Sequence, residues 1–287
     1  MPPVKIRWFG HSGFSLQDPS GKTVLIDPWF QGNPTAPFGS EEVKSAEFLL
    51  LTHDHFDHTA DAAALVHQTG ALVVGIFELV GDLKAKGVPE SQLLHGGIGM
   101  NVGGTVVLDG FSFTMTEAHH SCTLGAPVGY VIQTPSGVTI YHSGDTGVFA
   151  NMAIIGELYP IDVALLPIGS VFTMDYRQAA KAADLLKAKT VIPMHFGTFP
   201  ILEPNADRFV AEMKKNTPGT KVIVLSPGEE TSLLPRGARS PGSPDLFGHG
   251  GHEEREENLV RPDQVNPLSP AACGTRYDVY IRAVQLL

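Results

Sequence analysis

One short segment of the chain carries several side chains of the kinds that bind metal ions. Residues 52–58 read Thr-His-Asp-His-Phe-Asp-His. His53 and His55 alternate along the chain, and alternate side chains of an extended segment point to the same side. Asp57 and His58 follow, where the chain can turn them toward a second position. Imidazole nitrogens and carboxylate oxygens bind zinc, manganese and iron, so this segment predicts a metal site.

The sequence on either side of this segment indicates how it is positioned. Residues 47–52 form a short apolar run of strand length, and residues 59–66 have a helical pattern. The cluster is therefore predicted at the point where a strand gives way to a helix. Loops of this kind often carry binding and catalytic residues, because a rigid scaffold holds their ends in place.

Three later segments also carry candidate ligands at the ends of predicted strands. They read Thr-Glu-Ala-His-His-Ser at 116–121, Tyr-His-Ser-Gly-Asp-Thr-Gly at 141–147 and Val-Ile-Pro-Met-His-Phe at 191–196. Together with residues 52–58, these segments resemble in type and order the metal-binding motifs of the metallo-beta-lactamase superfamily. Four motifs in the same order are far more specific than any one of them.

Shorter strings extend this resemblance over more of the chain. They are Trp-Phe-Gly-His-Ser at 8–12, Ile-Asp-Pro-Trp at 26–29 and His-Phe-Gly-Thr-Phe-Pro at 195–200. These strings resemble the metal-dependent hydrolases of the superfamily that are related to L-ascorbate-6-phosphate lactonase. The resemblance covers about residues 1–234. It implies an α+β fold, a four-layer αββα sandwich in which two sheets face each other and helices cover the outside.

Local patterns independently indicate strands and helices in alternation. Residues 4–9, 12–16 and 23–26 predict three short strands separated by turns, which indicates a meander. Residues 176–187 place apolar side chains on one helical face and predict a helix. A strand over residues 190–194 is predicted to follow this helix and to end at the last histidine motif.

The resemblance also implies a set of ligands for two metal ions. They are His53, His55 and His120 for the first ion, Asp57, His58 and His195 for the second, and Asp145 as the bridge between them. His119 is the alternative to His120, and the Ala-x-His-Ser pattern of the related hydrolases favours His120. Zinc beta-lactamases of the superfamily have a cysteine where this chain has Asp145, which argues against antibiotic hydrolysis.

The implied activity is that of a metal-dependent hydrolase. The resemblance implies two divalent ions per chain, zinc foremost with manganese and iron as alternatives. A hydroxide held by both ions would then attack a small lactone, ester or phosphoester. Asp57 would orient the water or accept its proton. A non-catalytic metal-binding scaffold and a phosphodiesterase for a larger substrate are the alternative interpretations.

Three further polar residues are predicted to support the ligands. Asp27 resembles the carboxylate of the superfamily that fixes the orientation of a ligand histidine, and a simple turn residue is the alternative. His11 and His142 are predicted to face the site, and a structural hydrogen-bonded histidine is the alternative for each. No substrate-binding residue is predicted individually. Segments 31–38 and 170–174 are either pocket loops or ordinary connections.

Composition limits the partners and the location of the protein. The 287 residues include 30 acidic and 20 basic side chains without a Lys/Arg run, so nucleic acid is not an expected partner. Two cysteines give no disulfide framework, and neither a leader nor a long apolar segment is visible. We therefore expect a cytoplasmic protein with a small-molecule substrate and no membrane contact, and leave a homo-oligomer open. Residues 235–287, rich in Pro, Gly and charge, predict a disordered tail.

Overall fold

Two β-sheets form the centre of the fold in the computed structural model, which describes residues 2–234. Residues 235–287, for which a disordered tail is predicted, lie outside this range. The strands are β1 (Val4–Trp8), β2 (Phe14–Gln17), β3 (Thr23–Ile26), β4 (Phe48–Leu50), β5 (Leu72–Val74), β6 (Thr105–Leu108), β7 (Phe111–Glu117), β8 (Val128–Gln133), β9 (Thr139–His142), β10 (Val163–Pro167), β11 (Thr190–Met194), β12 (Lys221–Val222) and β13 (Glu230–Leu233). The first sheet has the order β13-β1-β2-β3-β4-β5, and the second has the order β12-β11-β10-β9-β8-β7-β6.

Six α-helices connect these strands in the described part of the chain. They are α1 (Phe56–Thr59), α2 (Ala62–Thr69), α3 (Phe77–Ala85), α4 (Met152–Leu158), α5 (Tyr176–Leu185) and α6 (Asp207–Asn216). Even α5 and α6, with ten residues each, are only about 15 Å long. No helix within residues 2–234 is long and apolar enough to cross a membrane.

The main core lies between the two sheets. Phe48 on β4 contacts Phe111 and Phe113 on β7, with ring centroids 5.8 and 5.2 Å apart. Alternate residues of β10 belong to two different clusters: Leu165 joins the core between the sheets, and Leu166 joins a second cluster with α5 and α6. The second sheet therefore packs against the first sheet on one face and against helices on the other. The predicted αββα sandwich is confirmed.

The predicted meander is also confirmed, because β1, β2 and β3 pair in antiparallel order. β2 begins two residues later than predicted, since residues 10–13 form a tight turn. In this turn the amide of Phe9 donates to the carbonyl of Gly13 at 2.8 Å. The predicted helix over 176–187 is α5, which starts after Asp175. The carboxylate of Asp175 caps the helix by accepting hydrogen bonds from two backbone amides of its first turn.

The helix predicted over residues 59–66 is in fact two helices, α1 and α2. Asp61 lies at the break, and its buried carboxylate accepts hydrogen bonds from the amides of Phe30 at 2.7 Å and Gln31 at 3.0 Å. This contact ties the break to the loop after β3. Because α1 already starts at Phe56, His58 lies on a helix and faces the inside of the protein.

Phe113→Ala should lower the free energy of unfolding by about 3–5 kcal/mol, because the ring is fully buried between the sheets. Urea unfolding followed by circular dichroism, at a fixed metal content, measures the difference. Val107→Ala on the neighbouring strand β6 is the control, since Val107 is exposed, and it should change the value by no more than about 0.5 kcal/mol. Equal losses in the two variants would show that the sheets do not pack as described.

Candidate metal centre

Three histidine rings meet near the end of β4. His53 follows β4, His55 immediately precedes α1, and His120 follows β7. The Nε2 atoms of His53 and His120 lie 3.0 and 3.3 Å from the Nδ1 atom of His55. Two nitrogens that bind one tetrahedral zinc ion at about 2.0–2.1 Å are themselves about 3.3 Å apart. The spacing of the three rings therefore fits a single metal ion.

A second group combines four residues from three parts of the chain. His11 comes from the turn between β1 and β2, Asp57 and His58 come from α1, and His195 directly follows β11. Their potential ligand atoms all lie within 4.8 Å of one another. The sequence predicts Asp57, His58 and His195 as ligands of one ion, and the structure adds His11 to this group.

The carboxylate of Asp145 lies between the two groups. Its Oδ2 atom is 2.9 Å from Nε2 of His195 and 3.4 Å from Nε2 of His58. The same oxygen is 3.8 Å from Nε2 of His120, which belongs to the first group. The Nε2 atom of His58 is buried and makes no hydrogen bond, because its contact with Asp145 lacks hydrogen-bond geometry. One oxygen thus faces nitrogens of both groups, the position required of a bridging ligand.

Asp27 orients two of these histidines. Its Oδ2 atom accepts hydrogen bonds from Nδ1 of His58 at 2.7 Å and from the Thr52 hydroxyl at 2.6 Å. The Thr52 oxygen can then accept a hydrogen bond from Nδ1 of His53, which lies 3.0 Å away. Both rings therefore carry a proton on Nδ1 and direct Nε2 into the centre. Thr52 was not singled out in the sequence, although it stands at the start of the first motif.

His11 holds the carboxylate of Asp57. Its Nε2 atom lies 3.0 Å from Oδ2 of Asp57, and its Nδ1 atom lies 3.0 Å from the Thr198 hydroxyl. Burial lowers the pKa of His11 to about 4, so the neutral ring donates through Nε2 and accepts from Thr198. The carbonyl of His11 also accepts a hydrogen bond from the amide of His195 at 2.9 Å. One turn therefore positions two members of the second group.

His142 and Ser12 support the loop that carries Asp145. The Nε2 atom of His142 donates to the Ser12 carbonyl at 3.0 Å, and its Nδ1 atom accepts from the amide of Gly144 at 3.1 Å. The Ser12 hydroxyl donates to Oδ1 of Asp145 at 3.2 Å. His142 therefore acts on Asp145 through the backbone and Ser12. Ser12 was missed as a functional residue, although it belongs to the Gly-His-Ser string near the start of the chain.

The charges of the centre depend on one another. Burial alone would raise the pKa of Asp145, but His195 and His58 outweigh it and hold this pKa well below the usual range. Burial alone would lower the pKa of His58, but Asp145 and Asp27 outweigh it and raise this pKa well above the usual range. A metal ion must therefore displace a proton from His58, so protons and metal compete for the site.

The backbone of the centre is strained at several positions. His11, Asp27 and His195 have φ angles of 53°, 44° and 60°, in the left-handed region that costs a residue other than glycine about 1–3 kcal/mol. Gly169, after β10, allows the close approach of His195. A Cβ atom at position 169 would overlap the carbonyl oxygen of His195 and lie 2.7 Å from its Nδ1 atom. Position 169 therefore requires glycine.

His119, the alternative ligand in the second motif, lies apart from both groups. Its side chain is largely exposed, its Nε2 atom is 4.0 Å from Glu117, and its ring stacks on Phe149 with centroids 4.8 Å apart. The neighbouring His120 is the residue that meets His53 and His55.

A cavity of about 610 Å³ opens beside the two groups. It is lined by His55, Asp57, His120, Asp145 and His195 from the metal centre, by Phe56, Phe172, Phe199 and Ile201, and by Ser121. The volume falls within the range of about 300–1,000 Å³ of small-molecule sites. Of the two segments considered as pocket loops, 170–174 contributes one lining residue and 31–38 contributes none.

The donor set and its access fit a catalytic metal centre. The candidate groups combine six imidazoles and two carboxylates, a set that suits zinc, manganese or iron. Structural zinc sites have all coordination positions filled by protein, whereas catalytic sites keep one open to water or substrate. The adjoining cavity provides such access.

Comparisons with known proteins show the family to which the chain belongs. A family model described as "Beta-lactamase superfamily domain" matches residues 22–196. A "UPF0173 metal-dependent hydrolase" of Nitratidesulfovibrio vulgaris is 46% identical over 230 residues, which are 80% of this chain and 95% of the relative. A protein of the same description from Pyrobaculum islandicum is 48% identical over 229 residues, which are 79% of this chain and 98% of the relative.

A solved structure supports the same conclusion. Igni18, described as a metallo hydrolase from Ignicoccus hospitalis, is 38% identical with a TM-score of 0.74, and the match covers 80% of this chain and 98% of Igni18. The chain belongs to the metallo-beta-lactamase superfamily. Within it, the protein is a metal-dependent hydrolase, as its relatives are described. The resemblance inferred from the motifs is thereby confirmed, and the closer relation to L-ascorbate-6-phosphate lactonase stays a prediction.

Two neighbouring histidines allow a matched test of the first group. His120→Ala should lose metal, because the ring meets His53 and His55, whereas His119→Ala should bind as much metal as the unmodified protein. Elemental analysis after reconstitution with Zn²⁺ and removal of free metal measures both. Metal loss in His119→Ala together with full retention in His120→Ala would show that the ligand of the second motif is the other histidine.

Asp27→Asn should weaken metal binding by about 10–100-fold, because an amide has only one acceptor oxygen. The Asp27 carboxylate uses both: Oδ1 accepts from the Thr52 amide, and Oδ2 accepts from His58 and the Thr52 hydroxyl. Competition with a zinc chelator of known affinity measures the change. Asp18→Asn is the control, since this buried carboxylate accepts hydrogen bonds only in the turn between β2 and β3. Equal zinc affinities of the two variants would contradict the role assigned to Asp27.

Proposed function

We propose that this chain holds two divalent metal ions and uses them to hydrolyse a small lactone, ester or phosphoester. The position of the Asp145 carboxylate, with one oxygen facing nitrogens of both groups, is the observation that carries the proposal. The proposed ligands are His53, His55 and His120 for the first ion, Asp57, His58 and His195 for the second, and Asp145 for both. When bound, the two ions would lower the pKa of water toward about 7 and polarise the substrate oxygen.

Asp57 is the residue that we assign to orienting the attacking water. Its carboxylate lines the cavity, and His11 fixes one of its oxygens from behind. Burial alone would raise the pKa of Asp57, but the hydrogen bond from His11 and the charge of His58 outweigh it and lower the pKa. The group is therefore a carboxylate at neutral pH. In that form it accepts a hydrogen bond from water and aligns the oxygen lone pair with the substrate.

Zinc is the ion that we propose for both positions, with manganese and iron as the alternatives that reconstitution distinguishes. The open cavity favours catalysis over a purely structural metal site. The acidic composition favours a small-molecule substrate over nucleic acid. The small number of cysteines favours the cytoplasm as the location.

Fully reconstituted protein should contain close to two equivalents of metal, and Asp145→Ala should lose the second equivalent together with most of the hydrolysis. Because removing metal-ion catalysis costs several kcal/mol of transition-state stabilisation, we expect a fall in kcat/KM of about a thousandfold or more. Elemental analysis and a screen of lactones, carboxylic esters and phosphodiesters measure the two effects on the same preparations.

Asp145→Asn is the matched variant, since it keeps the shape of the side chain and removes its charge. It should also lose the second ion, because a neutral amide is a poor bridge between two dications. Glu117→Gln, at the end of β7, alters a partly exposed carboxylate that belongs to neither candidate group and should retain both ions. Full activity of Asp145→Ala, or a reproducible plateau at one equivalent in the unmodified protein, would overturn the two-metal mechanism.

A further inference from the structure

The cavity beside the metal centre has an apolar wall that the metal chemistry does not require. Phe56 lies at the start of α1, Phe172 lies between β10 and α5, and Phe199 and Ile201 follow β11. Three separate segments of the chain thus bring large apolar side chains to the same opening. The candidate ligands line the same cavity, so a molecule held against this wall is also within reach of the metal centre.

Three of these four apolar residues are exposed, and Phe199 is partly buried. The exposed fractions are 64% for Phe56, 54% for Phe172 and 59% for Ile201. Single exposed apolar residues are ordinary on protein surfaces, but several around one concave opening mark a site where apolar surface is covered by a ligand. The wall therefore favours a ligand that carries an apolar group.

A buried tryptophan holds part of this wall in place. The Trp29 ring packs edge-on against Phe56 and tilted against Phe199, with centroids 5.6 and 5.9 Å apart. Trp29 also packs edge-on against His11 at 5.3 Å, and His11 fixes Asp57. The apolar wall and the proposed water-orienting carboxylate thus share one rigid support. A substrate positioned by the wall is positioned relative to Asp57 as well.

The charges around the cavity exclude a second anionic subsite. Among the described residues that line it, the ionisable side chains are Asp57, Asp145 and three histidines, and none is Lys or Arg. A phosphate or carboxylate group remote from the reacting bond would meet no cation there and would lie near two carboxylates. L-ascorbate-6-phosphate lactonase is named for a phosphorylated sugar lactone. A substrate of that kind does not fit such a wall.

We propose that the substrate is an uncharged carboxylic ester or lactone with an aryl ring or a medium-length alkyl chain next to the reacting carbonyl. This inference rests on the proposed hydrolytic function and specifies its substrate class. In the reaction, the water oxygen forms a bond to the carbonyl carbon and the bond from that carbon to the alkoxy oxygen breaks. One proton of the water goes to the alkoxy oxygen and the other is released, which leaves a carboxylate and an alcohol. Phe56, Phe172, Phe199 and Ile201 hold the apolar group.

The first test measures hydrolysis of 4-nitrophenyl acetate, butyrate and hexanoate by the protein reconstituted with Zn²⁺. The leaving group is the same in all three, so differences report the acyl chain. We expect kcat/KM to rise by about tenfold or more from acetate to hexanoate, because each fully buried methylene contributes about fourfold. Phe172→Ala and Ile201→Ala should flatten this rise, because each should lower kcat/KM for hexanoate more than kcat/KM for acetate.

Matched controls separate the wall from a general effect of truncating a surface residue. Phe77→Ala at the start of α3 and Ile154→Ala on α4 remove side chains of the same types that are 49% and 51% exposed and do not line the cavity. Both should keep the full dependence on chain length. A flat dependence in the unmodified protein, or equal effects of wall and control variants, would overturn the inference and leave the hydrolytic function standing.

The second test measures binding without turnover. Hydroxamates bind metal ions through two oxygens, so acetohydroxamate and hexanohydroxamate differ only in the chain that would meet the wall. Calorimetric titration of the Zn²⁺ protein should show about tenfold tighter binding of the longer ligand, and Phe172→Ala and Ile201→Ala should reduce this preference. Selective binding with no hydrolysis of any ester or lactone would support the binding role of the apolar wall and reject the proposed hydrolytic function. Equal affinities for both ligands, or preferential hydrolysis of a phosphorylated lactone, would show that the apolar wall does not bind the substrate as proposed.

Discussion

A buried carboxylate surrounded by imidazole rings is the interaction on which the rest of this structure depends. Asp145 is almost fully buried and meets His58, His120 and His195. Burying a charge costs free energy unless hydrogen-bonding or oppositely charged partners lie next to it. These partners come from distant parts of the chain. The first sheet positions the segment that contains His58, and the second sheet positions the other residues. Only the face-to-face packing of the two sheets brings them to one point.

The fold could be predicted where a local pattern reports both the element and its surroundings. In the meander, β1 and β2 have buried residues at alternate positions, and α5 has an apolar face and a capping aspartate. By contrast, β13 was not predicted, because Glu230–Leu233 has no buried residue and becomes a strand only by pairing with β1 at the other end of the chain. In α6 only Phe209 and Met213 are buried, too few to distinguish a helix from a polar loop.

The centre shows the same division between local and distant information. The motifs place His53, His120, Asp145 and His195 after strands, and the structure has each of them within three residues of a strand end. The supporting hydrogen bonds could not be derived in this way. Ser12 reaches Asp145 across 133 residues, and the contact between His11 and Thr198 spans 187. Nothing in the neighbouring sequence reports such a pair. The apolar wall of the cavity was missed for the same reason, since three separate segments of the chain contribute to it.

The left-handed backbone at His11, Asp27 and His195 limits how this sequence can drift during evolution. Glycine at any of these positions would relieve steric cost while deleting a side chain of the centre. Selection for activity therefore keeps these side chains in place against the backbone relief that glycine would bring. A duplicated copy of this protein that is no longer selected for catalysis should acquire glycines at these positions while its strands and core stay intact. Such substitutions would mark a decayed paralogue before any change in its fold could be seen.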